Sequence, residues 1–166
     1  MVREEQNVFL SREYAEAVRY MDNAREMLQK AKKRDDGFYT DKKYVRTACG
    51  TAYSGVLVAL DAWFTLKGVK NPKKNGRKSV DFYKMNLSQL DKKMADYYDT
   101  VYGNLHLCGY YDGRLDVDTI QSGFRRACEI IEKIKPEHPV EVRESRADGM
   151  KRALNILFIS AAVMLR

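Results

Sequence analysis

Apolar side chains recur every three or four positions along most of the chain, and the longest such stretch runs from Asp41 to Gly68. A helix brings residues with this spacing onto one face, so the pattern predicts a helix here. Apolar residues cover most of its circumference, which is typical of a central, buried helix. Asp41 suits the N-cap and Gly68 the C-terminal stop. The apolar positions are Val45, Cys49, Ala52, Tyr53, Val56, Leu57, Leu60, Trp63 and Phe64, and a small-residue edge comprises Ala48, Ala52, Gly55 and Ala59.

Amphipathic stretches also precede and follow this central helix. The first begins at Ser11, and we expect residues 1–10 to form a weakly docked end. After the central helix, residues 79–85 are expected to form a short helical turn. Asn86 or Ser88 is then expected to cap a longer helix, because both side chains can accept a hydrogen bond from the first helical turn.

That longer helix is expected to end at Gly109. The next one is capped by Asp116 or Asp118 and stopped by Pro136, which cannot continue a helix. A fifth apolar helix is expected over residues 145–165, packed on the others or on another subunit. The pattern predicts an all-α fold, namely an up-down antiparallel four-helix bundle with an additional C-terminal helix.

Length and composition favour a single domain. The chain has 166 residues and 45% apolar residues, enough to bury a core. We expect one domain over residues 1–166, with a core at 11–135 and a C-terminal extension at 145–165. The first residues lack the apolar core of a signal peptide, and the uncharged runs 47–60 and 153–165 are shorter than the about 20 residues that span a bilayer. We therefore expect a cytoplasmic protein without a membrane partner.

The cysteines and histidines exclude several kinds of site. Cys49, Cys108 and Cys128 are far apart and lie within helical patterns, which predicts buried, reduced thiols. His106 and His138 are the only histidines, and neither follows a glutamate at the spacing of a di-iron bundle. We expect no metal site and no cofactor. The sequence also contains no phosphate-binding glycine loop and no nucleophile elbow.

The net charge of +7 arises from one short segment. Six residues between Lys67 and Lys78 are basic and none is acidic, so the remainder of the chain is nearly neutral. The segment lacks the interleaved aromatic residues that stack on bases. We interpret it as a solvated loop or as a phosphate-contacting loop, and we expect nucleic-acid binding to be weak or absent. The possible phosphate contacts are Lys70, Lys73, Lys74 and Arg77.

The most distinctive side chains form a tyrosine-rich patch around His106. Tyr102, His106 and Tyr110 share one helix face at four-residue spacing, and Asn104 lies between them. We interpret Tyr102, Asn104, His106 and Tyr110 as a candidate ligand or interaction surface. The alternative is a structural role in which the His106 imidazole is hydrogen-bonded within the patch. Asp61, which interrupts the central helix, is expected to lie at a rim or to pair with an arginine or tyrosine.

The central helix contains the sequence YVRTACGTAYSGVLVALDAWF, and a later helix ends with GNLHLCGYYDG. This order of helices resembles the HEPN superfamily of bacterial helical bundles. The resemblance covers roughly residues 10–135. It implies a dimer that is either a ribonuclease toxin or a non-catalytic module that binds nucleotides or proteins. Active members carry an arginine that is separated from a histidine by four to six intervening residues. Those positions hold Asp99, Thr100 and Val101 before His106, and Ile131, Glu132 and Lys133 before His138.

The missing arginine favours the fold of that superfamily without its activity. RNA cleavage needs a base and a cation around the scissile phosphate. We therefore expect a non-catalytic interaction or binding module that forms a homodimer and can take a protein partner. The alternative is a ribonuclease with a rearranged site around His106, using a basic residue from the 67–78 loop or from a second subunit. A basic side chain close to His106 would favour this alternative.

Overall fold

The computed structural model describes residues 2–70 and 78–137. The described chain is helical, and among these residues the only strand-like pairings are two isolated bridges, Lys33 with Tyr39 and Phe38 with Asp116. The all-α prediction is confirmed. The predicted C-terminal helix at 145–165 lies outside the described residues. The helices are α1 (Val2–Lys30), α2 (Lys42–Leu66), α3 (Val80–Leu90), α4 (Lys92–Val101), a π-helical segment (Tyr102–Asp112) and α5 (Val117–Glu132).

The helices form the predicted up-down antiparallel bundle. Cys49 of α2 lies against Gly109, whereas Phe64, further along α2, stacks on the earlier residue Tyr83. These contacts show that α2 is antiparallel to the chain that runs from α3 to the π segment. Helix α5 is likewise antiparallel to α4 and the π segment, since Tyr97 contacts Arg126 whereas the later residue Leu105 contacts the earlier residue Gly123. Helix α2 is central, because it packs against α1, α5 and the π segment.

The small-residue edge of α2 allows α1 to approach closely, as predicted. A methyl group at Gly55 would lie 2.7 Å from the Tyr20 Cβ and 3.2 Å from the Ala17 carbonyl oxygen. Ala48, Ala52 and Ala59 are fully buried in the same core. Of the described helices, α2 alone is apolar and long enough to cross a membrane, and burial of its surface by the bundle accounts for that composition.

Several caps match the sequence. The Asp41 side chain accepts hydrogen bonds from the first turn of α2, and Asp116 accepts from the Thr119 amide at 2.7 Å at the start of α5. Gly68 ends α2 in the left-handed conformation, with φ of +70°, which costs glycine little.

Residues 1–10 were expected to form a weakly docked end, and α1 begins among them at Val2, although most of residues 4–10 are exposed. Glu4 and Glu5 lie in its first turn, where acidic side chains complement the helix dipole. Leu10 packs against the core, and Ser11, which had been expected to open the helix, is buried within it at 4% exposure. The helix therefore begins well before the sequence signal at Ser11.

The predicted boundary at Asn86 or Ser88 is also wrong. Ser79 caps α3, accepting a hydrogen bond from the Phe82 amide at 3.2 Å, and α3 continues to Leu90. Asp91 then adopts an extended conformation and caps α4 by accepting from the Met94 amide at 3.1 Å. The side chains of Asn86 and Ser88 instead donate to carbonyls one turn earlier in α3, which is a common alternative for such residues.

Gly109 does not end the helix that follows. The backbone changes to π-helical hydrogen bonding at Tyr102 and continues to Asp112, and Gly113 ends it with φ of +64°. Gly109 serves packing, because a methyl group there would collide with the Cys49 thiol. Such π-helical turns are rare and frequently occur at functional sites.

Candidate functional site

The π segment arranges the predicted patch as a column of rings. Successive ring centroids lie 6.4 Å apart from Tyr98 to Tyr102, 5.3 Å from Tyr102 to His106 and 5.9 Å from His106 to Tyr110. The rings are within about 26° of parallel at the two pairs that contain His106. The four-residue spacing in the sequence thus produces a continuous stack, which confirms the alignment expected for Tyr102, His106 and Tyr110.

Helix α2 adds Tyr53 to this column. Its ring stacks on His106 with the centroids 4.5 Å apart, and its hydroxyl shares a hydrogen bond of 3.0 Å with the Tyr98 hydroxyl. Tyr98 is completely buried and Tyr53 is 8% exposed, so this bond lies inside the core. Burial raises the pKa of both phenols, and both therefore stay protonated.

His106 is held by rings and carries no charge at neutral pH. Burial lowers the pKa of its imidazole, because the charged form is disfavoured away from water. In the part of the chain that the structure describes, its contacts are the rings of Tyr53, Tyr102, Tyr110 and Tyr111. The expected hydrogen bond within the patch is not among them, so stacking and not hydrogen bonding fixes the ring.

His106 and Tyr110 open onto a cavity of about 510 Å³ between α1, α2 and the π segment. We call it the tyrosine–histidine pocket. It is lined by Tyr20, Arg46, Thr47, Gly50, Thr51, Tyr53, Ser54, Leu57, His106 and Tyr110. Aromatic rings therefore reach it from three elements, and Arg46 supplies a positive charge.

Arg46 also fixes the end of the π segment. Its Nε donates to the Tyr110 carbonyl at 2.9 Å, and an Nη donates to the Tyr111 carbonyl. These contacts satisfy carbonyls that have no partner at the end of a helix. Sequence reasoning missed this residue. The signal was present as a polar stripe on the otherwise apolar α2, formed by Arg46, Thr47, Gly50, Thr51 and Ser54.

The structure separates Asn104 from the rest of the predicted surface. Asn104 is half-buried and lies against α5, where its Cβ would be 3.1 Å from a methyl group at Gly123. It does not line the pocket, and Tyr102 contributes only by stacking on His106. Of the four predicted residues, His106 and Tyr110 thus form the pocket wall.

The predicted phosphate contacts are described only in part. Lys70 is exposed, and Lys73, Lys74 and Arg77 lie outside the described residues. At the end of that loop, Lys78 lies 2.7 Å from a carboxylate oxygen of Asp61, which also accepts a hydrogen bond of 2.8 Å from Tyr83. The expectation that Asp61 has a tyrosine partner is confirmed.

The cysteines are free thiols, and Cys49 is buried as predicted. Burial raises its pKa to about 12, so this thiol is unreactive at neutral pH. Cys108 and Cys128 are only half-buried. Within residues 2–70 and 78–137, no cluster of three or more histidine, cysteine or carboxylate side chains could hold a metal ion.

Comparison with other proteins places the chain in a family. Residues 12–136 match a domain of unknown function, DUF5618. A solved structure, a protein of unknown function from Dyadobacter fermentans, is similar with 46% sequence identity and a TM-score of 0.65, and the similarity covers 74% of this chain and 94% of that one. No curated protein matches the chain. The chain therefore belongs to the DUF5618 family.

Proposed function

We propose that this protein is a non-catalytic, HEPN-like binding module and that its ligand occupies the tyrosine–histidine pocket. The observation that carries the proposal is that aromatic rings, a guanidinium and an imidazole line the same cavity of about 510 Å³. Cavities of this size bury small organic ligands. The lining fits a planar ligand with a negative charge, of which a nucleoside monophosphate is the simplest probe.

The rings and the guanidinium supply complementary interactions. An aromatic side chain that stacks on a base contributes about 1–3 kcal/mol, whatever the base is. Arg46 uses donors on Nε and one Nη for the carbonyls of Tyr110 and Tyr111, and a guanidinium has five N–H donors in all. The remaining donors can bind a phosphate or carboxylate without releasing the π segment.

The surroundings of His106 support binding over catalysis. A catalytic imidazole is normally oriented by a hydrogen bond from its second nitrogen to a carboxylate or carbonyl. Among the described residues His106 is instead enclosed by rings, with Tyr53 on α2 and Tyr102 and Tyr110 on its own helix. A neutral, stacked imidazole can accept a hydrogen bond from a ligand and extend its aromatic wall.

The test is calorimetric titration with the four nucleoside monophosphates at fixed ionic strength. We expect saturable binding, weakened about tenfold or more by Arg46→Gln, because a hydrogen bond to a charged group is worth about 1.5–3 kcal/mol and 1.4 kcal/mol is a factor of ten. Arg114→Gln is the matched control, since Arg114 is exposed and does not line the pocket. Absence of binding at millimolar ligand, or equal affinity of wild type and Arg46→Gln, would contradict the proposal.

A ribonuclease with a rearranged site is the second candidate. The observation that favours it is the presence of Arg46 in the same pocket as His106, a cation that comes from α2 and not from the 67–78 loop. Incubation of wild type and His106→Ala with total RNA tests it. Cleavage by the wild type alone, with matching thermal melts, would establish catalysis and displace the binding module.

The assembly and location expected from the sequence are part of the proposal. We propose a homodimer in the cytoplasm that can engage a protein partner and does not engage a membrane. Light scattering across micromolar concentrations tests the dimer, because the monomer has a mass of 19.2 kDa. A single species of that mass throughout the range would refute it.

A further inference from the structure

A second cavity of about 350 Å³ lies where the end of α1 meets α5. We call it the basic cavity. It shares no lining residue with the tyrosine–histidine pocket. Its lining residues are Arg25, Leu28, Gln29, Lys32, Lys33, Tyr39 and Gln121. The lining includes three cationic side chains and no acidic one, so the cavity has a positive potential.

The two lysines are available for a ligand. In the described part of the chain, neither Lys32 nor Lys33 makes an ion pair, and both are exposed. Arg25 is partly engaged, since one Nη lies 3.0 Å from Asp22 and the other donates to the Cys128 thiol at 3.0 Å. The charge that is not neutralised therefore comes mainly from the lysines.

The side chain of Tyr39 provides a second, independent indication of a ligand in this cavity. Tyr39 lines the cavity and its side chain is 1% exposed, and its buried hydroxyl has no hydrogen-bond partner among the described residues. Leaving a buried hydroxyl unpaired destabilises the folded state, and a ligand that accepts its hydrogen bond removes that penalty. The Gln121 side chain lies close enough to oppose the rise in the pKa of Tyr39 that burial causes, but it does not meet the geometry of a hydrogen bond. The net effect of burial is a raised pKa, so the hydroxyl keeps its proton and can donate it to a hydrogen bond.

We propose that the basic cavity binds a small phosphate-type anion, which accepts a hydrogen bond from the Tyr39 hydroxyl and pairs with Lys32 and Lys33. The Gln121 amide is a further donor in the same cavity. A multiply charged anion satisfies the unpaired hydroxyl and neutralises both lysines, which a neutral ligand cannot do. The volume accommodates inorganic phosphate or a small phosphate ester.

The competing explanation is that the lysines only complement the dipole at the C-terminal end of α1. A substitution at Lys32 distinguishes this explanation from the anion site, because Lys32 adopts a left-handed conformation with φ of +48°. Such a conformation is unfavourable for a side chain other than glycine or asparagine. Lys32→Gly therefore relieves strain and should keep or raise the melting temperature without phosphate, while it weakens the response to phosphate.

The experiment measures the melting temperature of the full chain against inorganic phosphate at fixed pH and ionic strength, with sodium chloride as the balancing salt. We expect a saturable rise for the wild type, as for any ligand that binds only the folded state. Tyr39→Phe should melt at the same or a higher temperature without phosphate, because it removes an unpaired hydroxyl. Its apparent dissociation constant for phosphate should increase about tenfold or more.

Arg114→Gln is the control and should retain the full phosphate response of the wild type, because Arg114 is exposed and lines neither cavity. Arg46→Gln reports whether phosphate binds the tyrosine–histidine pocket instead. An equal rise with sodium chloride alone would refute the anion site. An unchanged response in both Tyr39→Phe and Lys32→Gly would refute it as well. If the response disappears only in Arg46→Gln, phosphate binds the tyrosine–histidine pocket and the basic cavity is not its site.

Discussion

The hydrogen bond between Tyr53 and Tyr98 gives the sharpest test of how the aromatic column is held. The two hydroxyls are 3.0 Å apart, and each has the other as its only hydrogen-bond partner among the described side chains. Removal of either hydroxyl leaves the other buried without a partner. Removal of both leaves two phenylalanines of nearly the same shape in an apolar core, which can leave the free energy of unfolding almost unchanged.

We therefore expect Tyr98→Phe and Tyr53→Phe each to lower the free energy of unfolding by about 1–3 kcal/mol. Tyr53→Phe should cost more, because the hydroxyl that it leaves unpaired belongs to Tyr98, which is 0% exposed, whereas Tyr53 is 8% exposed. The double variant should lie within about 1 kcal/mol of the wild type, so the two substitutions are strongly non-additive.

Urea denaturation of the four proteins measures these energies, provided that the slope m is unchanged. In thermal melts, 1 kcal/mol corresponds to about 2–4 °C for a chain of this size. Tyr97→Phe is a matched control in α4, since its half-buried ring packs at the edge of the core and not in the column. A double variant as unstable as the sum of the single variants would refute the reasoning, and so would single variants indistinguishable from Tyr97→Phe.

Three further predictions concern other parts of the fold. Because burial lowers the pKa of His106, the unfolded state binds more protons below the ordinary value of about 6.5. Stability should therefore fall as pH drops from 7.5 to 5, and His106→Gln should flatten this slope in urea titrations. Gly123→Ala should lower the free energy of unfolding by about 1–3 kcal/mol, because the new methyl group would lie 2.6 Å from a Leu105 methyl. Gly103→Ala is the control: its methyl group would have no neighbouring atom within 4 Å, so the free energy of unfolding should stay the same or increase in the same assay. Asp91→Ala should lower the melting temperature by about 2–4 °C, since it removes the cap of α4, worth about 1 kcal/mol, and Asp91→Asn should restore most of the loss.

The elements that local chemistry specifies could be predicted from the sequence. The apolar period of α2 identified the central helix, and Asp41 and Asp116 identified its start and that of α5, because a cap is formed by residues within a few positions of one another. The four-residue spacing of Tyr102, His106 and Tyr110 likewise predicted their shared face. These features depend on chain neighbours, so the linear pattern contains them.

Boundaries where several residues could cap a helix were not determined in this way. Asn86, Ser88 and Asp91 all have side chains that can cap, and only Asp91 does, because the chain must turn there so that both α3 and α4 can bury their apolar faces. The start of α1 was not determined in this way either, since the helix begins well before Ser11 and its residue Leu10 packs against the rest of the bundle.

The sites themselves required the tertiary structure. Arg46 becomes part of a pocket only because the end of the π segment, more than sixty residues later, offers it two carbonyls. Tyr39 becomes a buried donor without a partner in the described part of the chain only because α5 and the end of α1 lie around it. The sequence alone determined the all-α class, the central helix and the aromatic face, because these follow from helical periodicity. Only the packed bundle decided which polar side chains share a cavity, because that depends on contacts between residues distant in the chain.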